Sequence, residues 1–245
     1  MKKFAVILGA LLSIIPAHAQ KYTLSAGLAV PSGSFGEKSN TLYGIAALSP
    51  SEKGGSKGEA GNGFFIDFQV SKELRDHLEL YSGISVICNG VSTAIDNDSL
   101  FAKVYTEGIY LYDQVTVSYP LYFNVPWITG LSYSCPIGKS VSVFANAGIG
   151  VNTRIITDYS FEYVYQGTKG ENRWDYSKRL TLAGQVSLGA CFFDHYRLSA
   201  SYYNLGQAKV ISSVTETLGS SSPTYDHESD VMKTGMLTVS LGYTF

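Results

Sequence analysis

The chain has 245 residues, of which 16% are charged and 13% aromatic, with 18 Tyr, 25 Gly and 7 Pro. A formal net charge of −2 gives no basis for nucleic-acid binding. Beyond the N-terminal segment, no apolar run approaches the roughly 18 residues that a membrane-spanning helix needs, which excludes a helical membrane protein.

The first 19 residues have the order of a secretory signal peptide. Two lysines follow the first methionine, residues 4–15 are mostly apolar, and Ala17 and Ala19 are the small residues of a signal-peptidase site. The apolar stretch is shorter than the roughly 20 residues of a transmembrane helix. We therefore predict a signal peptide over 1–19 and a single exported domain over 20–245.

Eight segments of the exported domain alternate apolar and polar residues with a period of two, which is typical of strands that have one apolar face. Most have the roughly 9–11 residues of a tilted membrane strand. In chain order the segments are 22–30, 63–70, 78–88, 115–131, 141–155, 180–192, 196–205 and 236–245.

The connections between these segments alternate strictly between long and short, with long loops over 31–62, 89–114, 156–179 and 206–235. Such alternation is typical of outer-membrane barrels, which have short periplasmic turns and long extracellular loops. A soluble β-sandwich is the alternative, but it has no reason to place every long loop on one side. The prediction is an all-β fold, an eight-stranded antiparallel up-and-down transmembrane β-barrel with both ends of the chain in the periplasm.

The signal peptide, the eight strands, the fourth strand YPLYFNVPWITGLSY and the C-terminal GYTF resemble the small outer-membrane β-barrel domain family of Gram-negative bacteria. The barrel is similar in size to OmpA- and OmpX-type barrels, and we expect no peptidoglycan-binding domain. The resemblance implies location in the cell outer membrane, among outer-membrane lipid and lipopolysaccharide. It also implies that Tyr243 and Phe245 form the assembly signal read by the barrel-assembly machinery. Since this family has diverse activities, the resemblance assigns no function.

The interior of an eight-stranded barrel is just wide enough to be filled by side chains. We predict a packed, hydrogen-bonded polar network in which Arg197 offsets the acidic residues, since buried charges must be paired. A proton- or ion-conducting path is the alternative. The polar residues predicted to face inward are Asp67, Gln69, Glu79, Asn146, Gln185 and Arg197.

The chain has no HExxH metal motif and no GxxxxGK[ST] phosphate-binding motif, so we expect no cofactor and no metal. Cys88, Cys135 and Cys191 lack metal-ligand spacing, although one disulfide stays open as an alternative. His227 and Ser229 superficially resemble the His-x-Ser spacing of lipid A deacylases. A nucleophilic serine also needs a rigidly held base and an orienting acid, so we expect no enzyme.

Residues 157–176 (TDYSFEYVYQGTKGENRWDY) keep the alternation beyond the expected membrane span, which predicts a protruding hairpin. Protruding strand edges and Tyr-rich tips suit binding. We therefore predict a surface structural or adhesin-like binding protein that acts through its extracellular loops, with an unknown extracellular ligand. Loops that only shield the barrel, a narrow ion or small-solute channel, and a lipid A-modifying enzyme are the alternatives.

Overall fold

The computed structural model describes residues 20–37, 58–92 and 114–245, which form β-strands and one short 3-10 turn at Gly33–Phe35. The strands are β1 Gln20–Ser32, β2 Ala60–Arg75, β3 Leu78–Val91, β4 Gln114–Ser118, β5 Tyr122–Pro136, β6 Val141–Ile156, β7 Tyr159–Tyr165, β8 Thr168–Tyr176, β9 Arg179–Phe192, β10 Tyr196–Leu218 and β11 Thr224–Thr244.

Eight of these strands close into a ring in the order β1-β2-β3-β5-β6-β9-β10-β11. The ring closes because β11 pairs antiparallel with both β10 and β1. At the closing seam Thr23 lies opposite Thr244, and on the other side of β11 Tyr243 lies opposite Tyr196. All neighbours in the ring are antiparallel, which confirms the predicted eight-stranded up-and-down barrel.

The period-two pattern of the strands places their apolar side chains on the outside of the ring. Ile149 is 78% exposed, Leu182 81% and Leu241 70%, values that belong to side chains facing lipid. The alternate positions carry buried hydroxyl and amide side chains, such as Ser187 and Ser240. Among the described residues, no helix is long and apolar enough to cross a membrane.

The extracellular half of the barrel interior contains an apolar core. Phe35, in the 3-10 turn that follows β1, is fully buried there and meets the ring of Tyr122 edge to face at 5.2 Å. The turn therefore packs a side chain against the inward positions of the barrel wall. The other large, fully buried apolar side chains of this core include Ile87, Leu205, Met232 and Met236.

The fourth predicted segment, 115–131, is two strands rather than one. The chain leaves the strand geometry at Tyr119–Leu121, and Pro120 has no N–H for a ladder hydrogen bond. The break is held by Thr157, whose hydroxyl accepts from the N–H of Leu121 at 2.8 Å and whose N–H donates to the Leu121 carbonyl at 3.0 Å. Only β5 joins the barrel, while β4 pairs with β7.

The prediction of a loop over 206–235 is also wrong. β10 and β11 both continue through most of this range and are joined by a tip at Gly219–Pro223. The reason is a register shift between Asn204 and Gln207, which moves the buried positions from Tyr203 and Leu205 to Val210 and Val214. A β-bulge inserts an extra residue and so reverses the alternation. A strand with such a bulge does not follow a single period-two pattern.

Candidate functional site: the extracellular sheet and the barrel interior

Strands from three of the long connections extend the sheet of the barrel beyond the ring, in the order β11-β10-β8-β7-β4. The upper part of β10 pairs with β8, from Ser212 opposite Tyr176 to Leu218 opposite Gly170. The hairpin predicted within 157–176 is present as β7 and β8. We call this layer the extracellular sheet; it shares β10 and β11 with the barrel, so it continues the barrel wall.

The point where β10 leaves the barrel is held by side chains. Backbone pairing of β9 with β10 ends at Gly184 opposite Asn204. Beyond it the Thr181 hydroxyl donates to the Leu205 carbonyl at 2.6 Å, and Gly206 takes a positive φ of 79°. A Cβ on Gly206 would lie 2.4 Å from the Leu182 carbonyl oxygen. Only glycine therefore suits this bend, on grounds of both conformation and space.

One face of the extracellular sheet is apolar and buried. Tyr159 and Val214 are almost fully buried, and Phe161 and Val117 nearly so. Tyr159 lies opposite Trp174 with ring centroids 4.8 Å apart. These residues lie at alternate positions of β4, β7, β8 and β10. The extracellular sheet therefore has its own small apolar core, and packing in this core orders the loop segments that form the sheet.

The other face of the extracellular sheet is polar. Arg173 donates to the carboxylates of Asp158 and Asp175, and these hydrogen bonds raise the pKa of Arg173. The hydroxyls of Thr215 and Thr224 lie 3.0 Å apart across neighbouring strands. Such an exposed charge cluster contributes little stability and gives this face its hydrophilic character.

One edge of the extracellular sheet is the upper part of β11. β1 pairs with β11 only as far as Ser32 opposite Gly235, and no described strand pairs with that edge above this point. The Glu216 N–H donates to the Pro223 carbonyl at 3.0 Å, which fixes the phase of the β10–β11 ladder. Because ladder bonds alternate along an antiparallel strand, Thr224 and Asp226 turn their backbone N–H and C=O groups toward the outer edge.

The six residues predicted for the interior all lie inside the barrel wall, at its periplasmic half. The Ser85 hydroxyl donates to Asp67 at 2.6 Å, and Lys21 pairs with Glu79 at 2.6 Å. Arg197 lies over the ring of Phe144 at 4.0 Å and forms no ion pair within the described residues. The layer of side chains around Asp67, Gln69, Asn146, Gln185 and Arg197 leaves a cavity of only about 20 Å³.

Two tyrosines that are not among the six predicted residues complete this layer. The Gln185 amide donates to the Tyr203 hydroxyl at 2.9 Å and accepts from the Tyr81 hydroxyl at 3.3 Å. Above them the amide of Asn152 donates to the Asn124 oxygen at 3.0 Å. The alternation in the sequence predicts that these side chains point into the barrel. Which of them contact one another depends on the register between strands, which the sequence does not show.

The C-terminal aromatics lie on the outer wall at the periplasmic rim. The Tyr243 ring stacks on His195 at 5.4 Å and contacts Phe245 at 4.9 Å. The Phe245 N–H donates to the Tyr22 carbonyl at 2.8 Å, which secures the last residue to β1. Their role as an assembly signal stays a prediction.

Several predicted residues lie outside what the structure describes. Ala17 and Ala19, the signal-peptidase site, precede the described range, and so the signal peptide stays a prediction. The backbone of β11 includes His227 and Ser229, but their side chains are not described. Cys88, Cys135 and Cys191 are free thiols, which closes the alternative of a disulfide.

A closed ring of eight antiparallel strands, with an apolar outer band and a filled polar interior, can reside only where lipid surrounds it. The chain folds as a transmembrane β-barrel of the outer-membrane type. This barrel has the OmpA/OmpX-like size and the short turns at one end that the family resemblance implied.

No protein-family model matches the barrel, and no curated protein does. Among solved structures it is similar to the attachment invasion locus protein Ail of Yersinia pestis, at 13% identity and a TM-score of 0.41, covering 93% of this chain and 99% of that one. A major outer membrane protein of Thermus thermophilus is 12% identical with a TM-score of 0.49, covering 93% and 100%. The outer membrane protein OprG of Pseudomonas aeruginosa is 10% identical with a TM-score of 0.44, covering 93% and 96%. Similarity at this level assigns no function.

Proposed function

We propose that this barrel is a surface-binding, adhesin-like protein without enzymatic activity, and that its binding surface is the extracellular sheet. The observation that carries the proposal is the ordering of three loops into one sheet that continues the barrel wall. Loops that only connect strands need no core of their own, whereas Tyr159 and Val214 are buried in one. An ordered platform loses less conformational entropy on binding than free loops would.

The outer edge of β11 is the part of the sheet best suited to a ligand. Its outward backbone groups at Thr224 and Asp226 can pair with an extended polypeptide, which is the mode called strand addition. Beside this edge Tyr225 is 46% exposed, and its hydroxyl donates to Glu216 at 2.6 Å. That hydrogen bond raises the pKa of Tyr225 and holds the phenol ring in one orientation, so the ring offers a fixed aromatic surface.

The test separates the edge backbone from its side chains. A displayed library of random extended peptides is panned on bacteria that carry equal surface amounts of wild type, Asp226→Pro or Asp226→Ala. Proline at an outward-facing edge position removes one edge N–H and keeps the pairing with β10, whereas alanine keeps the N–H. We expect peptides retained by wild type and by Asp226→Ala to be lost with Asp226→Pro. Equal retention by Asp226→Pro would contradict strand addition at β11.

A second variant tests the sheet as a whole. Residues 157–176 are replaced by a short Gly-Asn turn, which removes β7 and β8 and with them the support of β10. We expect adhesion and peptide capture to fall at equal surface levels. Unchanged capture would argue against binding by the extracellular sheet, and loss of a lipid A modification on changing His227 or Ser229 would favour the enzyme instead.

A further inference from the structure

A cavity of about 530 Å³ opens at the periplasmic end of the barrel, between the short turns. We call it the periplasmic vestibule. Its volume falls within the roughly 300–1,000 Å³ of small-molecule sites. The layer of about 20 Å³ above it closes the vestibule toward the extracellular side, so it is a dead end and not a passage. Its polar lining includes Lys21, Ser132, Ser134, Ser142, Cys191 and Arg197.

Arg197 stands out in this lining because its donors are unused. Among the described residues, its one assigned contact is with the ring of Phe144, and no hydrogen bond or ion pair reaches its guanidinium. A guanidinium carries five N–H donors in a fixed fork. A largely buried cation without a hydrogen-bonded anion is costly, so this group favours an anionic partner.

The acidic residues near Arg197 have other hydrogen-bond partners. The carboxylate of Glu79 is paired with Lys21 at 2.6 Å, and Asp67 accepts from Ser85 at 2.6 Å in the layer above. At the rim the exposed side chains of Lys139 and Asp194 have opposite charges. Taken together, the charged side chains that line the vestibule carry one net positive charge.

We propose that the periplasmic vestibule binds a small oxyanion, a carboxylate or a phosphate, that enters from the periplasm. The Arg197 fork holds two of its oxygens, and the hydroxyls of Ser132, Ser134 and Ser142 are available as further donors. Planar two-point recognition of this kind is what arginine provides and a lysine does not. The site is independent of the extracellular sheet and of the proposed surface binding.

Cys191 supplies the readout, because its thiol lines the same cavity. The full chain is refolded in detergent with Cys135→Ser, which removes the exposed thiol on the outer wall. The rate at which Cys191 reacts with a small charged alkylating reagent is measured with inorganic phosphate, with succinate, and with chloride at matched ionic strength. We expect one or both oxyanions to slow the reaction several-fold relative to chloride. Slowing by phosphate alone identifies a phosphate site, and slowing by succinate alone a carboxylate site.

Arg197→Gln should abolish the protection, whereas Arg173→Gln, which changes an exposed arginine of the extracellular sheet, should leave it intact. Folding of each variant is checked by the heat-dependent shift in gel mobility. If Arg197→Gln does not fold, calorimetric titration of the wild type with phosphate and with succinate decides the question. Equal reaction rates in all three salts, no heat of binding, or protection that survives in folded Arg197→Gln would overturn the proposal.

Discussion

Replacing Gly206 with alanine tests whether the exit of β10 from the barrel depends on one glycine. The φ of 79° costs an alanine about 1 kcal/mol, because its Cβ crowds the following carbonyl. The new Cβ would also lie 2.4 Å from the Leu182 carbonyl oxygen and 2.8 Å from Thr181 Cβ, so the backbone must shift. Overpacking of this kind adds about 1–3 kcal/mol, giving a total loss of about 2–4 kcal/mol in the free energy of unfolding.

Gly33 is the matched control. Its φ of 65° is similar, but a Cβ built on it meets nothing within 4 Å. Gly33→Ala should therefore lose only about 1 kcal/mol, the conformational part of the effect. The difference between the two variants isolates the close approach of β10 to β9.

The assay is urea unfolding of protein refolded into lipid vesicles, followed by tryptophan fluorescence. Trp127 lies in the barrel wall and Trp174 in the extracellular sheet, and the chain has 2 Trp, so single Trp→Phe backgrounds separate the two signals. We expect Gly206→Ala to lower the midpoint more than Gly33→Ala, and to do so more strongly in the Trp174 signal. Equal midpoints for the two variants would refute the steric reasoning.

Three further predictions concern assembly, conductance and thiol reactivity. Deleting Phe245 should lower the amount of protein at the cell surface far more than it lowers the stability of refolded protein. Surface labelling measures the first quantity and urea unfolding the second, and a normal surface level would show that Phe245 is not the assembly signal. Planar-bilayer recordings should show no stable conductance of porin size, because the polar layer leaves about 20 Å³; small pH-dependent currents would instead support a path through Asp67, Glu79 and Arg197. In the folded barrel a maleimide should modify Cys135, which is exposed, and spare Cys88, which is buried, as read by mass spectrometry. Rapid labelling of Cys88 would contradict its burial in the barrel wall.

The barrel could be predicted from the sequence because each strand has one face toward lipid and one toward the barrel interior, and the two faces need different residue types. Lipid outside and a tight polar interior select opposite residue types at successive positions, as in Leu237, Val239 and Leu241 against Thr238 and Ser240. The same alternation gave the inward parity of Asp67 and Arg197.

The extracellular sheet could be predicted only in part, because its pairings are not local. The β7–β8 hairpin connects strands that are adjacent in sequence, and its alternation was visible. The pairing of β4 with β7 joins residues about 45 positions apart in the sequence. The alternation within each strand does not indicate which other strand it pairs with. The upper part of β10 was missed because the shift at Gly206 reverses its alternation.

The length of β10 and β11 has a mechanical consequence. One ladder joins these strands from Thr215 opposite Thr224, near the tip, down to Tyr196 opposite Tyr243 at the periplasmic rim. A ligand pulled away from the cell would load these hydrogen bonds along the strand direction, in shear, and many of them would have to fail together. If the binding tip were joined to the barrel by a flexible loop, the tip would unfold before the barrel strands were loaded. The force on a bound ligand is therefore transmitted through β10 and β11 to the barrel, which the surrounding lipid holds in place.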